Sequence, residues 1–311
     1  MVFWRDLCVP ENTSQPANVE IVCRRYTIYA MQQAAIPYVG KDFAFFDKLK
    51  KEPLVRLLLS HAKRRKPMGF LEKILKKKAK ESAPFCSVVV VAAGQASRME
   101  GIDKILCPMG GEAIVLHAIA PFQACGLVDE IVIVTREDLM APVGTLCSQK
   151  GYDKVKRLVR GGASRPESVM AGLEACDPAA DLIAIHDGAR PFVTEEIIEE
   201  TIRAARKHHA AAPAIPVKDT IKRAVHGVVT ETPDRAELFA VQTPQIFDAA
   251  LIKGAVGKAL QEGAPVTDDC SAVERIGFSV VLTKGSEENI KITTPRDLIH
   301  GEAILAERMG E

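Results

Sequence analysis

The chain has 311 residues, 47% of them hydrophobic, with 41 Lys+Arg against 40 Asp+Glu and a formal net charge of +1. That content supplies the core of one large domain, with or without an extension, and no run approaches the roughly 18 apolar residues that a membrane span needs. The eight cysteines (Cys8, Cys23, Cys86, Cys107, Cys125, Cys147, Cys176 and Cys270) form no C-x-x-C pair, which argues against a zinc or dithiol site and for core thiols in a reducing compartment.

The near-zero charge hides an asymmetry. Residues 1–84 carry 17 Lys+Arg and 8 Asp+Glu, and the remainder carries 24 and 32. The expected division is a basic N-terminal extension, 1–84, and an acidic domain, 85–311. Within the extension a helix is expected from about Pro53 to His61, ending in Lys63-Arg64-Arg65-Lys66. That run reads as a solvated patch rather than a nucleic-acid site. Residues 68–84 fit a short basic amphipathic helix, with Phe70, Leu71, Ile74 and Leu75 on one face. A linker helix is the reading, and peripheral membrane contact is the alternative. Met68 is also an alternative start, which would make residues 1–67 an over-extended gene boundary. The N-terminus lacks the basic start, apolar run and cleavage site of a signal peptide, so a cytoplasmic protein is expected.

From Ser87 onward strands and helices alternate. Strands are expected at 87–93, 130–135, 155–160, 182–186 and 211–217, with helices at about 113–125, 165–176 and 194–209. This order predicts a Rossmann-like, doubly wound α/β domain with a mostly parallel sheet. Residues 218–243 break the rhythm. They alternate in Ile221, Val225, Val228 and Val229, and Gly227 fits a hairpin turn, so a β-arm projecting from the sheet is expected. Helices at 248–261 and 268–276 follow, then strands near 278–283 and 289–292, and a closing helix from Pro295.

The first strand empties into Ala92-Ala93-Gly94-Gln95-Ala96-Ser97-Arg98-Met99, with Lys104 just beyond. Small residues admit a phosphate close to the backbone amides, and Arg98 and Lys104 supply positive charge. The loop lacks the G-K-[ST] of a Walker A motif and the third glycine of the dinucleotide fingerprint, so neither chemistry is expected. Gly161-Gly162-Ala163-Ser164-Arg165-Pro166-Glu167-Ser168 opens a helix, with Ser164 as N-cap and Glu167 in capping-box position. Gly162 and Ser168 are candidates to face a ligand. His186-Asp187-Gly188-Ala189-Arg190-Pro191 ends a strand on the same rim as the glycine loop. Asp187 is suited to Mg²⁺ or to substrate hydroxyls, and Arg190 to a phosphate; an Asp–Arg salt bridge capping the strand is the plainer alternative. Lys291, near the C-terminus, is a third candidate cation. His208-His209 ends a helix, where positive charge suits the dipole.

This ordered set continues through Asp219-Thr220 with Lys222-Arg223, Asp234-Arg235, Thr243-Pro244-Gln245, Thr267-Asp268-Asp269 and Asn289-Ile290-Lys291. Residues from about 86 to 308 resemble the 2-C-methyl-D-erythritol 4-phosphate cytidylyltransferases of non-mevalonate isoprenoid synthesis. The resemblance implies transfer of CMP from CTP to a sugar-alcohol phosphate with release of pyrophosphate. It implies that Arg98, Lys104 and Lys291 surround the triphosphate. Ala92, Ala93, Gly94, Gly162, Ser168 and Gly188 would hold cytidine, and Asp187, Arg190, Thr220 and Thr243 the acceptor. Mg²⁺ would bridge the phosphates, with Asp187 as a candidate ligand. The arm would exchange with a partner subunit in a homodimer, bringing Arg235 to the neighbouring site. The chain departs from the family pattern at Ala96, for the second loop glycine, at Gly188, for an alanine, and at Ala163, where an acidic residue is common. The alternatives are a cytidylyltransferase for another polyol phosphate, such as ribitol 5-phosphate, and a non-catalytic nucleotide-binding scaffold.

Overall fold

The computed structural model describes residues 84–94 and 103–310. The basic extension with its two expected helices, and the loop that carries Ala96 and Arg98, lie outside the described residues.

The chain enters through β1 (Cys86–Ala92), followed by a small hairpin of β2 (Pro108–Met109) and β3 (Glu112–Ala113) and by α1 (Ile114–Ala124). Then come β4 (Glu130–Thr135), α2 (Glu137–Gln149), β5 (Val155–Arg160), α3 (Arg165–Ala175), β6 (Leu182–Asp187), α4 (Glu195–His208) and β7 (Ala210–Pro216). A hairpin of β8 (Arg223–Val225) and β9 (Val228–Glu231) leads to β10 (Phe239–Val241) and β11 (Gln245–Asp248). The chain closes with α5 (Ala249–Gln261), α6 (Asp269–Arg275), β12 (Val281–Lys284) and α7 (Pro295–Met309).

One sheet runs in the order β10-β7-β11-β6-β1-β4-β5, with β12 also paired to β7. Pairings β6·β1, β1·β4, β4·β5 and β7·β12 are parallel, and only β10 and β11 run against the rest. The doubly wound expectation therefore holds. The continuous apolar run of β1 serves both faces of the sheet, as a central parallel strand must. Val88, Val90 and Ala92 pack with α1, α2 and α4, while Val89 packs with α3, α5 and α6 on the other side. A third cluster of Met109, Ile114, Phe192, Ile292 and Ile304 seats α7.

Winding proceeds from β1 to β4 to β5, then returns to β6 on the other side of β1. The switch point therefore lies between β1 and β6, where crossovers leave in opposite directions and the sheet opens a crevice at its carboxyl edge. The loop after β1 and the Asp187–Pro191 turn flank it.

Several expectations shift. Helix α2 was not anticipated: Pro142 and Gly144 interrupt its pattern, yet Leu139, Val143 and Cys147 make a buried stripe at fourfold spacing. The return leg of the arm, β10, belongs to the main sheet, pairing antiparallel with β7, so the projecting hairpin is shorter than 218–243. Its turn is His226-Gly227, with φ of 50° and 78°. Strand β12 starts later than expected. Segment 289–292 is not a strand: its alternating Ile290 and Ile292 are tethered by a backbone bond from Ile292 N–H to Ala189 C=O of 2.8 Å. All six described cysteines are buried, and burial pushes the Cys147 thiol up to about 11 and the Cys176 thiol up to about 12. They are inert core thiols at neutral pH; Cys8 and Cys23 lie outside the described residues.

Helix α3 packs so closely on the sheet that a Cβ on Gly172 would stand 2.3 Å from Val89 Cγ1 and 2.8 Å from Val134 Cγ2. Gly172→Ala is expected to destabilise the fold by about 1–3 kcal/mol in urea unfolding, the usual cost of overpacking; wild-type stability would show that α3 can lift off the sheet freely.

Candidate active site

A cleft of about 630 Å³ opens at the carboxyl edge of the sheet. Its size suits a small-molecule ligand. Each wall is the end of a strand: Ala92-Ala93-Gly94 after β1, Arg136 after β4, Arg160-Gly161-Gly162 after β5, and Asp187 after β6. Of the sequence candidates, Ala92, Ala93, Gly94, Lys104, Gly162, Ser168, Asp187 and Lys291 line it.

The glycine turn before α3 is shaped by close approach. A Cβ on Gly161 would lie 2.5 Å from Ala93 Cβ and 2.8 Å from Ser168 Oγ, so a side chain there would push the two loops apart. Buried Ser168 folds the turn: its hydroxyl donates to Ser164 C=O at 3.0 Å and accepts Gly162 N–H at 3.1 Å. Ser164 caps α3 by accepting Glu167 N–H at 3.3 Å, as expected. Glu167 does not close a capping box but accepts Ala163 N–H at 2.8 Å.

Asp187 sits at the end of β6 with 8% exposure. Lys291 Nζ lies 2.9 Å and Arg190 Nε 3.4 Å from its Oδ2. Burial pushes this carboxyl up, but Lys291, Arg165 and Arg190 outweigh it and hold it near 2. Asp187 is therefore an anion at neutral pH. Lys291 is 38% exposed, so its ammonium both pairs with Asp187 and faces the cleft. The plain Asp–Arg salt bridge is thus present, inside a larger cluster. Arg190 does not line the cleft; its Nη1 donates to Asn289 C=O at 2.7 Å. Gly188 N–H donates to Val91 C=O at 2.9 Å, and a Cβ there would stand 3.0 Å from Ala92 Cβ, so glycine fits the seam between β6 and β1.

Thr243 is buried behind Asp187. Its Oγ accepts Asp187 N–H at 3.1 Å and lies 3.0 Å from His186 Nδ1, while His186 Nε2 lies 3.1 Å from Arg190 C=O. A carbonyl only accepts, so Nε2 carries the proton and Thr243 donates to Nδ1. Thr220 and Arg235 stand on the arm, away from the cleft lining; Arg235 Nη1 donates to Lys218 C=O at 2.8 Å. Arg98 lies outside the described residues.

Sequence reading missed Arg136, Arg160 and Arg165 as lining residues. The first two were legible from their place just past β4 and at the end of β5, on the rim where ligands bind. Arg165 grips buried Asp269 with bonds of 2.9 and 2.6 Å, which gives the Thr267-Asp268-Asp269 motif a role. Among the described residues no group of three or more His, Cys, Asp or Glu side chains converges as a metal site.

The sequence profile of 2-C-methyl-D-erythritol 4-phosphate cytidylyltransferase matches residues 86–307. The chain belongs to this family. A relative of that name from Halalkalibacterium halodurans is 48% identical over 223 residues, covering 71% of this chain and 97% of the relative. The crystal structure of 4-diphosphocytidyl-2C-methyl-D-erythritol synthase from Anaerococcus prevotii has 34% identity and a TM-score of 0.66, over 72% of this chain and 99% of that one. The 2-C-methyl-D-erythritol 4-phosphate cytidylyltransferase of Thermus thermophilus aligns at 30% identity with a TM-score of 0.58, over 70% and 97%. The family match leaves residues 1–85 outside it.

Burial holds His186 near 4, well below the usual imidazole value. A group with a depressed folded pKa binds fewer protons than the unfolded chain between the two values, so stability falls with pH from about 6.5 to about 4 and this contribution is then exhausted. Denaturant titrations across that range are expected to show a loss of roughly 3 kcal/mol from this residue, and a His186→Asn variant a flatter profile. Identical profiles would show that His186 is not held neutral by the fold.

Proposed function

We propose that this chain transfers CMP from CTP to 2-C-methyl-D-erythritol 4-phosphate, giving 4-diphosphocytidyl-2-C-methyl-D-erythritol and pyrophosphate in non-mevalonate isoprenoid synthesis. The observation that carries the reading is one cleft that joins the Ala92–Gly94 backbone to Lys104, Asp187 and Lys291, in a chain of this family. The names of the relatives support methylerythritol phosphate over ribitol 5-phosphate as acceptor.

The reaction is an in-line displacement. An oxygen of the acceptor phosphate forms a bond to the α-phosphorus of CTP as the bond from that phosphorus to the β-bridging oxygen breaks, and pyrophosphate leaves with the electron pair. Little covalent work falls to the protein, so positioning and charge neutralisation dominate. Lys104 and Lys291, with Arg98, neutralise the triphosphate and the charge that grows on its α-phosphate. The backbone of Ala92–Gly94, with Gly162, Ser168 and Gly188, holds the nucleoside. Asp187, Arg190 and Thr243 orient the acceptor. The lack of a multi-carboxylate cluster among the described residues fits Mg²⁺ carried mainly by phosphate oxygens, with Asp187 as its protein ligand, and the ion supplies further charge neutralisation.

Thr220 and Arg235 act across a homodimer, on a partner's cleft. The β8–β9 hairpin supports this: Val225, Val228 and Val229 are 55%, 68% and 55% exposed, and an apolar two-stranded ribbon is marginal without cover. The enzyme works in the cytoplasm, and residues 1–84 stand apart from a transferase domain of residues 85–311; no described helix is long and apolar enough to cross a membrane.

Purified protein with Mg²⁺ and CTP is expected to release pyrophosphate with methylerythritol 4-phosphate and not with ribitol 5-phosphate. Lys291→Ala is expected to lower kcat about 10²–10³-fold, as loss of one charge-stabilising group does. Release with ribitol 5-phosphate alone would move the protein to another acceptor, and an unimpaired Lys291→Ala would remove that lysine from the chemistry.

A further inference from the structure

Asn289 opens the segment that carries Lys291, and its side chain is fully buried. Its amide nitrogen donates to Gln242 Oε1 at 3.3 Å and to Thr243 C=O at 3.1 Å. Its own C=O accepts Arg190 Nη1 at 2.7 Å. Both side-chain partners are oxygens, so only one orientation of the amide fits. Gln242 is fixed in the same sense, donating through Nε2 to Ser286 C=O at 2.7 Å and accepting Ser286 N–H at 3.2 Å.

This orientation leaves Asn289 Oδ1 buried with no hydrogen-bond partner. An unmet buried acceptor is destabilising, and an aliphatic side chain of similar shape would avoid that cost. Stability alone therefore does not account for an amide here. What the amide does is join two residues from distant parts of the chain. It holds the Thr243 backbone from the side and, through its carbonyl, the Arg190 guanidinium. Thr243 then places its hydroxyl between Asp187 N–H and His186, and Arg190 places its Nε beside the Asp187 carboxylate.

We propose that Asn289 is a positioning residue that sets the spacing of Thr243 and Arg190 and thereby shapes the subsite for the acceptor's phosphate. The proposal rests on the reading of Thr243 and Arg190 as acceptor-binding. It predicts an effect confined to one of two substrates, which a merely structural role would not produce.

The test is steady-state kinetics with CTP and methylerythritol 4-phosphate varied in turn, on the full chain. Asn289→Ala and Asn289→Leu, the second close in shape and free of the orphaned oxygen, are compared with Thr243→Val, Arg190→Ala and the double variant Asn289→Ala/Thr243→Val. Either Asn289 variant is expected to raise the acceptor KM about tenfold or more, as sub-ångström misplacement does, with CTP KM nearly unchanged. The double variant is expected to lose little beyond the larger single loss, because the two residues act as a unit. If the Asn289 variants move both KM values alike, or neither, while Thr243→Val and Arg190→Ala raise the acceptor KM, the proposal falls and the acceptor reading stands. If Thr243→Val and Arg190→Ala leave the acceptor KM unchanged, the acceptor reading falls and takes the proposal with it. Since Asn289→Leu removes both donors at similar volume, poor folding of the alanine variant leaves the result decidable.

Discussion

Asp187 keeps a negative charge where water hardly reaches it. A carboxylate so placed must be neutralised by neighbours or take up a proton. Here the neighbours are Lys291 at 2.9 Å and Arg190 at 3.4 Å, with Arg165 also contributing to the field. These cations come from α3, from the turn after β6 and from the C-terminal segment. One buried charge thus draws three parts of the chain to a single point. Arg165 and Arg190 are committed there: Arg165 to Asp269, Arg190 to Asp187 and Asn289. Lys291 alone of the three is both paired to Asp187 and on the cleft wall. This arrangement gives a polyanionic substrate a cation that is already oriented, so little reorganisation is needed when the substrate arrives.

The sheet explains why that point is also where a nucleotide would lie. Four adjacent parallel strands, β6, β1, β4 and β5, end on one rim, and each contributes its last residue or the residues just past it to the cleft. Small residues at Ala92, Ala93, Gly161 and Gly188 let the loops close to van der Waals contact. The hydroxyls of Ser168 and Thr243 then tie the loops across strands. His186, neutral and packed edge-on against Phe122 with ring centroids 4.9 Å apart, keeps the Thr243 hydroxyl pointed the same way. Apolar packing and the polar site are therefore coupled through a single imidazole.

Much of this was legible in the sequence because two periodicities are strong. The valine run of β1 and the alternation of strands with helices fix a doubly wound sheet, and the rim rule then places Asp187 beside the Ala92–Gly94 loop. What the sequence hid has local causes. Helix α2 contains a proline and a glycine that mask its stripe. Ile290 and Ile292 alternate like a strand, but side-chain bonds from Asn289 take the place of a ladder. Arg136, Arg160 and Arg165 look like ordinary surface charges until the strand ends are assembled. Asn289 was part of a motif, but its partners lie 46 and 47 residues away, beyond any spacing argument.

The central claim is that the charge of Asp187, rather than its shape, organises the site. Asp187→Asn keeps the volume and removes the charge. Pyrophosphate release by this variant at saturating CTP and methylerythritol 4-phosphate is the most direct test, read beside its thermal unfolding. The account predicts a folded protein whose turnover falls by at least about 10²-fold. Turnover within about twofold of wild type would contradict it, because Lys291 would then hold its position without the carboxylate.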